Sequence, residues 1–106
     1  MKEIQAKFSI GDIVKHKYFN FRGVIYDVDF EFNNSEEWYR SIPKDVRPRK
    51  DQPFYHLLAE NNEITYEAYV SEQNLITDSS GEPVQHPLVN EIFSEKKGSA
   101  YYKRSN

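Results

Sequence analysis

The feature that most constrains this chain is a strict alternation of side-chain character between residues 22 and 30. One side of an extended segment there carries Arg22, Val24, Tyr26, Val28 and Phe30, and the other side carries Gly23, Ile25, Asp27 and Asp29. A period of two with one mostly apolar face is typical of a half-buried β-strand. Such a strand needs partners, so the sequence favours a sheet.

Other segments have the same character and are separated by short turns. A first strand begins at Ile13 after the Gly11-Asp12 turn, and further strands are predicted over residues 54–60, 64–71 and 75–77. Residues 33–42 predict one short helix, capped by Asn34 or Ser35 and limited by Pro43. Five short strands with tight connections predict a mainly β fold: a small, strongly bent antiparallel SH3-like barrel with one short helix.

Composition narrows the classes of protein. The chain has 106 residues, no cysteine, 38% hydrophobic residues and a net charge of −3. The length predicts one domain, and the lack of cysteine excludes disulfides and thiolate chemistry. We find no apolar run that could span a membrane, and no nucleophile paired with a base or glycine-rich phosphate loop. We therefore expect a protein that is not an enzyme, with no catalytic residues, no cofactor, no metal and no membrane partner.

The domain organisation is predicted from the extent of these patterns. Residues 1–7 read as an N-terminal extension and residues 8–93 as the β-barrel domain. The polar residues 94–106 read as a flexible C-terminal tail, although Tyr101 and Tyr102 could dock on the domain.

A basic loop is the first candidate site. It consists of Arg40, Lys44, Arg47, Arg49 and Lys50, offset by Asp45 and Asp51. These cations could contact DNA phosphates or acidic groups of a protein partner, or they could belong to an ordinary solvated loop. The acidic net charge weighs against DNA, because nucleic-acid binding depends largely on neutralising phosphates.

The strand over residues 54–60 is apolar on both faces. A small barrel buries one face of each strand, so the other face needs a cover. We predict a homo-oligomer, a dimer or a trimer, with an interface at Tyr55, Leu57 and Tyr69. The alternative is that the helix and the C-terminal segment cover this face.

Three further groups are interpreted as structural. Asp27, Asp29 and Glu31 follow each other at every second position and could bind Mg²⁺ or Ca²⁺, but a solvated outer face explains them better. The three histidines, His16, His56 and His86, show no metal-binding or catalytic spacing. Trp38, the single tryptophan, is expected to anchor the helix to the core.

Several stretches are similar to a known family. The long stretches cover residues 8–16, 21–29, 47–56 and 68–75, and the short ones are Glu37-Trp38-Tyr39, Ile42-Pro43 and His86-Pro87. Together they resemble the heat-shock protein Q family, also called the YccV-like or hemimethylated-DNA-binding domain family. The likeness extends from Phe8 to Phe93.

The resemblance implies properties that the residues alone do not. It implies a cytoplasmic, stress-induced, non-enzymatic protein that self-associates. It implies a role in degrading denatured proteins such as the replication initiator DnaA, as an adaptor or specificity-enhancing factor for the Lon protease. The alternative function that it implies is binding of hemimethylated DNA.

Overall fold

A computed structural model of the chain describes residues 5–98 and 100–104. The strands and helices are β1 (Ile13–His16), β2 (Arg22–Asp29), α1 (Glu36–Ser41), β3 (Phe54–Glu60), β4 (Thr65–Ser71), β5 (Leu75–Thr77), α2 (Val89–Ile92), β6 (Phe93–Lys97) and β7 (Ala100–Lys103). Two 3-10 turns cover Lys44–Val46 and Glu72–Asn74. The mainly β fold and the predicted short helix, α1, are confirmed, whereas the second short helix, α2, was not predicted.

The five predicted strands form one antiparallel sheet in the order β4-β3-β2-β1-β5. Its two edge strands, β4 and β5, are joined by the single 3-10 turn Glu72–Asn74, so the sheet must bend strongly. Among the described residues β4 and β5 do not pair with each other. The prediction of a strongly bent antiparallel sheet is therefore confirmed, but the barrel is not closed.

A β-bulge in β2 changes the predicted faces of this strand. The register with β3 pairs Ile25 with Leu57 and Asp27 with His56, so Tyr26 is an extra residue. Beyond the bulge the alternation is reversed. Val28 packs in the same cluster as Ile25, whereas Asp27 lies on the opposite face. The prediction that Val28 shares a face with Val24 was wrong, because one inserted residue exchanges the two faces of a strand.

Each face of the sheet has its own core cluster. One cluster contains Phe8, Val14, Ile25, Tyr55, Leu57, Ala59, Val70 and Leu75. The other contains Ile13, Val24, Leu58, Val84, Val89, Phe93 and Tyr101, many of them supplied by the C-terminal segment. The C-terminal segment therefore covers the second face of the sheet, which is the alternative that the sequence left open.

This arrangement corrects the predicted oligomer interface. Tyr55 and Leu57 are both 0% exposed within a single chain, so neither can contact a partner. Tyr69 pairs with His56 and therefore faces the opposite side of the sheet from Tyr55 and Leu57. Strand β3 does carry apolar side chains on both faces, but the chain itself buries them.

The predicted flexible tail over residues 94–106 is also corrected. Most of this segment is a β-hairpin formed by β6 and β7, and residues 105–106 lie outside the described residues. The hairpin docks through Tyr101, whose backbone N–H donates to the carbonyl of Gly11 at 2.7 Å. Gly11 has a φ of 97°, and a Cβ there would lie 2.1 Å from the carbonyl oxygen of Tyr101, so this close approach requires glycine.

The predicted N-terminal extension is described only from residue 5. Ala6 packs against the first core cluster, and the backbone N–H of Lys7 donates to Glu72 at 2.7 Å. The last residues of the extension are therefore attached to the domain. No helix of the described residues is long and apolar enough to cross a membrane.

Candidate binding surface

A groove of about 400 Å³ runs along the outer edge of β4. One wall is the loop between β1 and β2, and the other is the segment that contains α1 and the first 3-10 turn. Aromatic and aliphatic side chains dominate the lining, among them Phe19, Phe21, Trp38, Ile42 and Tyr66. We call it the apolar groove.

A second groove, of about 330 Å³, lies on the other side of the β1–β2 loop. Its lining is polar and includes Lys15, Lys17, Asn20, Asn61 and Asn62. Residues 15–21 thus separate an apolar groove from a polar one, and we call them the aromatic ridge.

His16 holds the aromatic ridge in one conformation. Its ring stacks on Phe19 at a centroid distance of 4.6 Å, and its Nδ1 accepts hydrogen bonds from the backbone N–H groups of Tyr18 and Phe19 at 3.0 and 3.1 Å. Burial lowers the pKa of His16 below its ordinary value of 6.5. Near neutral pH the ring is therefore uncharged, and its proton is on Nε2.

The consequence is a pair of aromatic side chains held in solvent. Tyr18 is 73% exposed and Phe19 57% exposed, although both belong to a loop fixed by hydrogen bonds. Exposed aromatic rings on an ordered loop are typical of surfaces that stack on or pack against a ligand.

The aromatic ridge also carries positive charge. No acidic residue occurs from Ile13 to Tyr26. Lys15 and Lys17 are exposed, and neither forms an ion pair with any described residue. Arg22 is different, because Asp78 and Glu60 bind its guanidinium at 2.7 and 2.8 Å. The free cations of this region are thus the two lysines.

The opposite wall of the apolar groove is built around α1. Ser35 caps the helix by accepting a hydrogen bond from the backbone N–H of Trp38 at 3.0 Å. The Trp38 ring packs edge-on against Tyr69, with a centroid distance of 5.3 Å, and stacks on Phe32. Trp38 therefore anchors the helix to the sheet, as the sequence predicted, while part of its ring lines the groove.

The predicted basic loop lies on this wall, and other groups of the same chain bind most of its charged side chains. Arg40 and Lys50 both bind Glu36. The hydrogen bonds from Lys50 and Arg40 lower the pKa of the Glu36 carboxyl. Arg49 pairs with Asp51 at 2.9 Å.

Arg47 has a structural role in the same loop. Its guanidinium donates to the carbonyl oxygens of Ile42 and Arg40 at 2.8 and 3.0 Å, and it lies over the ring of Tyr39. Of the five predicted cations, Lys44 alone has no ionic or hydrogen-bonded partner within residues 5–98 and 100–104. Three of the five cations are therefore paired with carboxylates, and Arg47 is held by carbonyl oxygens, so only part of the loop is a free basic patch.

The bulge in β2 brings the acidic stripe beside His56. Asp29 Oδ2 accepts a hydrogen bond from the hydroxyl of Tyr69 at 2.8 Å and lies 2.9 Å from Nε2 of His56. Ligand atoms of Asp27, Asp29 and His56 lie within 4.8 Å of one another. They could hold a cation, but Asp29 already has two partners. We interpret the group as a hydrogen-bonded polar network, and Glu31 lies outside it, beyond the end of β2.

The third histidine is structural. His86 is buried, and its Nδ1 accepts a hydrogen bond from the backbone N–H of Leu88 at 3.1 Å. This bond fixes the turn that leads into α2, as the His86-Pro87 pair suggested. The structure therefore does not bring the three histidines together into one site.

A known protein family matches nearly the whole chain. Residues 6–100 match the family described as "Hemimethylated DNA-binding protein YccV like". The chain belongs to the YccV-like family. The matched range is wider at both ends than the predicted domain of residues 8–93, and it extends into the β6–β7 hairpin.

Curated relatives carry the same domain within longer chains. F-box only protein 21 from Homo sapiens is 35% identical over 95 residues, and the Mus musculus protein is 34% identical over 95 residues. The match covers 89% of this chain but 15% of each of these relatives. No solved structure matches the chain.

Sequence reasoning missed the aromatic ridge. No role was assigned to residues 18–21 from the sequence, and Lys15 and Lys17 were not singled out. Two signals were available. One is the long segment without an acidic residue in an acidic chain, and the other is a pair of adjacent aromatic residues in a turn, where neither has a sheet face to occupy.

Proposed function

We propose that this chain is a non-enzymatic binding module that contacts hemimethylated DNA through the aromatic ridge. The family description is the observation that carries this proposal. Support from the surface comes from Lys15 and Lys17, two exposed lysines without ion-pair partners in the described part of the chain. Lysine and asparagine side chains of the polar groove supply hydrogen-bond donors for phosphate oxygens.

The two exposed rings give this module a way to sense methylation. Hemimethylated and unmethylated duplexes differ by one methyl group, which is an apolar feature on a base edge. Proteins recognise such methyl groups by apolar contact in the major groove. Tyr18 and Phe19 are suited to this contact because both are exposed and lie beside the lysines.

Binding should be measured by fluorescence anisotropy with hemimethylated, fully methylated and unmethylated duplexes of one sequence. The proposal expects the hemimethylated duplex to bind more tightly than the unmethylated duplex, with affinity falling steeply as salt rises. Equal affinity for the three duplexes, or no binding at low salt, would contradict it.

Two double variants locate the contact. Lys15→Ala with Lys17→Ala should lower the slope of log affinity against log salt by about 2, because two phosphate contacts are lost. Lys97→Ala with Lys103→Ala removes the same charge from the exposed β6–β7 hairpin and should leave the slope unchanged. An equal effect of both pairs would mean that overall charge, not the aromatic ridge, controls binding.

A second candidate function is favoured by the apolar groove. In it, the chain acts in the cytoplasm during heat stress as an adaptor or specificity-enhancing factor for the Lon protease and promotes degradation of denatured proteins such as DnaA. An apolar groove with aromatic walls can hold side chains that a folded client would bury. Purified Lon should degrade denatured DnaA faster when this protein is added; an unchanged rate would remove the candidate.

Self-association is a separate proposal that comes from the family resemblance. Light scattering coupled to size-exclusion chromatography tests it, and a monomer at all concentrations would contradict it. Tyr55 and Leu57 are not suitable interface residues, because one chain buries them completely.

A further inference from the structure

We propose that the outer edge of β4 binds an extended segment of another polypeptide, which adds to the sheet as a further strand inside the apolar groove. This inference goes beyond the DNA contact proposed above. It depends on the second candidate function only for the later degradation of the bound segment. The addition of the strand itself requires neither a protease nor DNA.

The first observation is a free sheet edge. Within the described part of the chain, β4 pairs with β3 and with no other strand. Just beyond the two ends of the β3–β4 pairing, two backbone hydrogen bonds continue it. The N–H of Glu72 donates to the carbonyl oxygen of Pro53 at 2.9 Å, and the N–H of Asn61 donates to the carbonyl oxygen of Ile64 at 3.0 Å. Each bond joins two residues that lie directly opposite each other in the β3–β4 register. The bonds therefore identify which of the opposite pairs along β3 and β4 exchange hydrogen bonds.

The register then fixes the direction of the backbone groups along β4. Every second pair exchanges hydrogen bonds, so Tyr66, Ala68 and Val70 point their backbone groups toward β3. Glu67, Tyr69 and Ser71 point theirs to the open edge. An unpaired row of this kind is the surface to which a peptide adds as a strand.

The second observation is that the apolar groove reaches both faces of β4. Tyr66 and Phe21 lie on one face, and Tyr69 and Trp38 lie on the other. Successive side chains of an added strand point to opposite faces. A bound segment would therefore place alternate apolar side chains against the two sets of rings, which gives selectivity in addition to the backbone bonds.

The third observation is an unsatisfied polar atom in the apolar groove. Ser71 is 2% exposed, and its Oγ has no hydrogen-bond partner among the described residues. Buried hydroxyl groups are normally paired, because leaving one unpaired costs free energy. Ser71 lines the groove at the end of β4, so a peptide group bound there would supply the missing partner.

Charge indicates the kind of segment. Among the described residues that line the apolar groove there is no lysine or arginine, and Glu67 on β4 is the one carboxylate. This carboxylate accepts a hydrogen bond from Tyr26. The groove therefore fits an extended, uncharged apolar segment, whereas Glu67 would repel an acidic one.

A second copy of this chain is a poorer occupant. Both walls of the apolar groove rise beside the β4 edge, so one extended segment can enter between them. Two β4 edges that paired directly would bring the same walls of the two copies against each other. We therefore commit to a peptide of unfolded or extended conformation.

The probe is a fluorescent synthetic peptide with a Val/Leu stretch that matches the seven residues of β4 and two serine residues at each end for solubility. Glu67→Pro removes an outward N–H, which an edge strand tolerates, and Glu67→Ala removes the same side chain but keeps the N–H. We expect Glu67→Pro to weaken peptide binding about tenfold relative to Glu67→Ala. Equal affinities of these two variants, both folded by circular dichroism, would overturn the proposal.

A test on the peptide side leaves the protein unchanged. N-methylation of every second peptide bond should abolish binding in one register and be tolerated in the other, because only one edge of an added strand pairs with β4. Ser71→Ala should weaken binding of the unmodified peptide. Equal effects of the two methylated peptides, or a dimer that Glu67→Pro converts to a monomer, would each contradict the inference.

Discussion

At the residue scale, His16 links the core to the exposed rings. The ring lies among aromatic neighbours, and burial lowers its pKa. Its Nδ1 can accept the two backbone hydrogen bonds only while it carries no proton. The conformation of the aromatic ridge is therefore coupled to the protonation state of a single side chain.

The coupling predicts a loss of stability in mild acid. The unfolded chain binds the His16 proton near the ordinary pKa of 6.5, whereas the folded chain resists it, so stability falls as pH drops below about 6.5. His16→Gln keeps an acceptor but does not titrate. We expect Tm to fall less between about pH 7.5 and 5.5 in this variant than in the unchanged protein. Parallel curves of Tm against pH for the two proteins would show that protonation of His16 does not cause the loss of stability.

Asp78 causes a second loss of stability, at lower pH. Burial alone would raise the pKa of its carboxyl, but hydrogen bonds from Arg22 and Ser80 outweigh burial and lower it to about 2. This stabilisation is complete above the ordinary pKa of 3.8 and is lost as pH falls toward 2.

Replacing Asp78 tests this ion pair. Asp78→Asn should lower the free energy of unfolding near pH 7 by about 2 kcal/mol, and the difference should shrink below pH 4. Asp45→Asn, at an exposed carboxylate in the first 3-10 turn, is the control and should change it by less than about 0.5 kcal/mol. Urea denaturation at both pH values measures the effect; an equal loss at both would contradict it.

At the scale of elements, the β6–β7 hairpin completes the core of the sheet. Phe93 and Tyr101 supply two rings to the second cluster, and the Tyr101 hydroxyl accepts a hydrogen bond from the backbone of Val84 at 3.0 Å. The hairpin reaches the sheet at Gly11, next to the bridge between Asp12 and Ala100. Its docking therefore depends on one position that lacks a side chain.

Gly11→Ala should detach or displace the hairpin. A Cβ there would contact the Tyr101 backbone, in addition to the strain of a positive φ. We expect a loss of at least about 2 kcal/mol in the free energy of unfolding. Gly81→Ala is the matched control, because Gly81 has a φ of 77° but nothing within 4 Å of its Cβ. If both variants lose the same stability, the close contact at Gly11 has no effect.

The strands were predictable because their signals are local. Alternation located β2, and the strands of the β3–β4 hairpin were predicted over residues 54–60 and 64–71. The docking of Tyr101 was expected as a possibility and is confirmed. Its position against Gly11 and the bulge at Tyr26 were not predictable, since each depends on the strand or loop that lies opposite. The basic loop shows the same limit: its cations could be counted, but Glu36 as the shared partner of Arg40 and Lys50 could not be foreseen.

At the scale of the whole molecule, the distribution of charge is more informative than its sum. The chain carries a net charge of −3, yet the segment from Ile13 to Tyr26 has no acidic residue. Elsewhere many cations are paired within the chain, as at Arg22 and Lys50. An acidic protein can therefore still present a local surface that attracts phosphates.

The two proposed ligands, DNA and an extended peptide, fit different parts of the surface around the aromatic ridge. The polar groove and the exposed rings of the aromatic ridge suit DNA, whereas the apolar groove along β4 suits an extended peptide. Because the ridge forms a wall of both grooves, we expect the two ligands to compete. Peptide displacement by hemimethylated duplex, followed by anisotropy, measures this; simultaneous binding of both ligands would contradict a shared wall.

The most direct test of the account is to map the DNA contact by amide chemical shifts. A hemimethylated duplex titrated into the isotope-labelled protein should shift the amides of residues 15–21 and those of Asn61 and Asn62, and leave residues 40–50 largely unchanged. Shifts confined to residues 40–50, or no shifts at low salt, would contradict the claim that the aromatic ridge binds DNA.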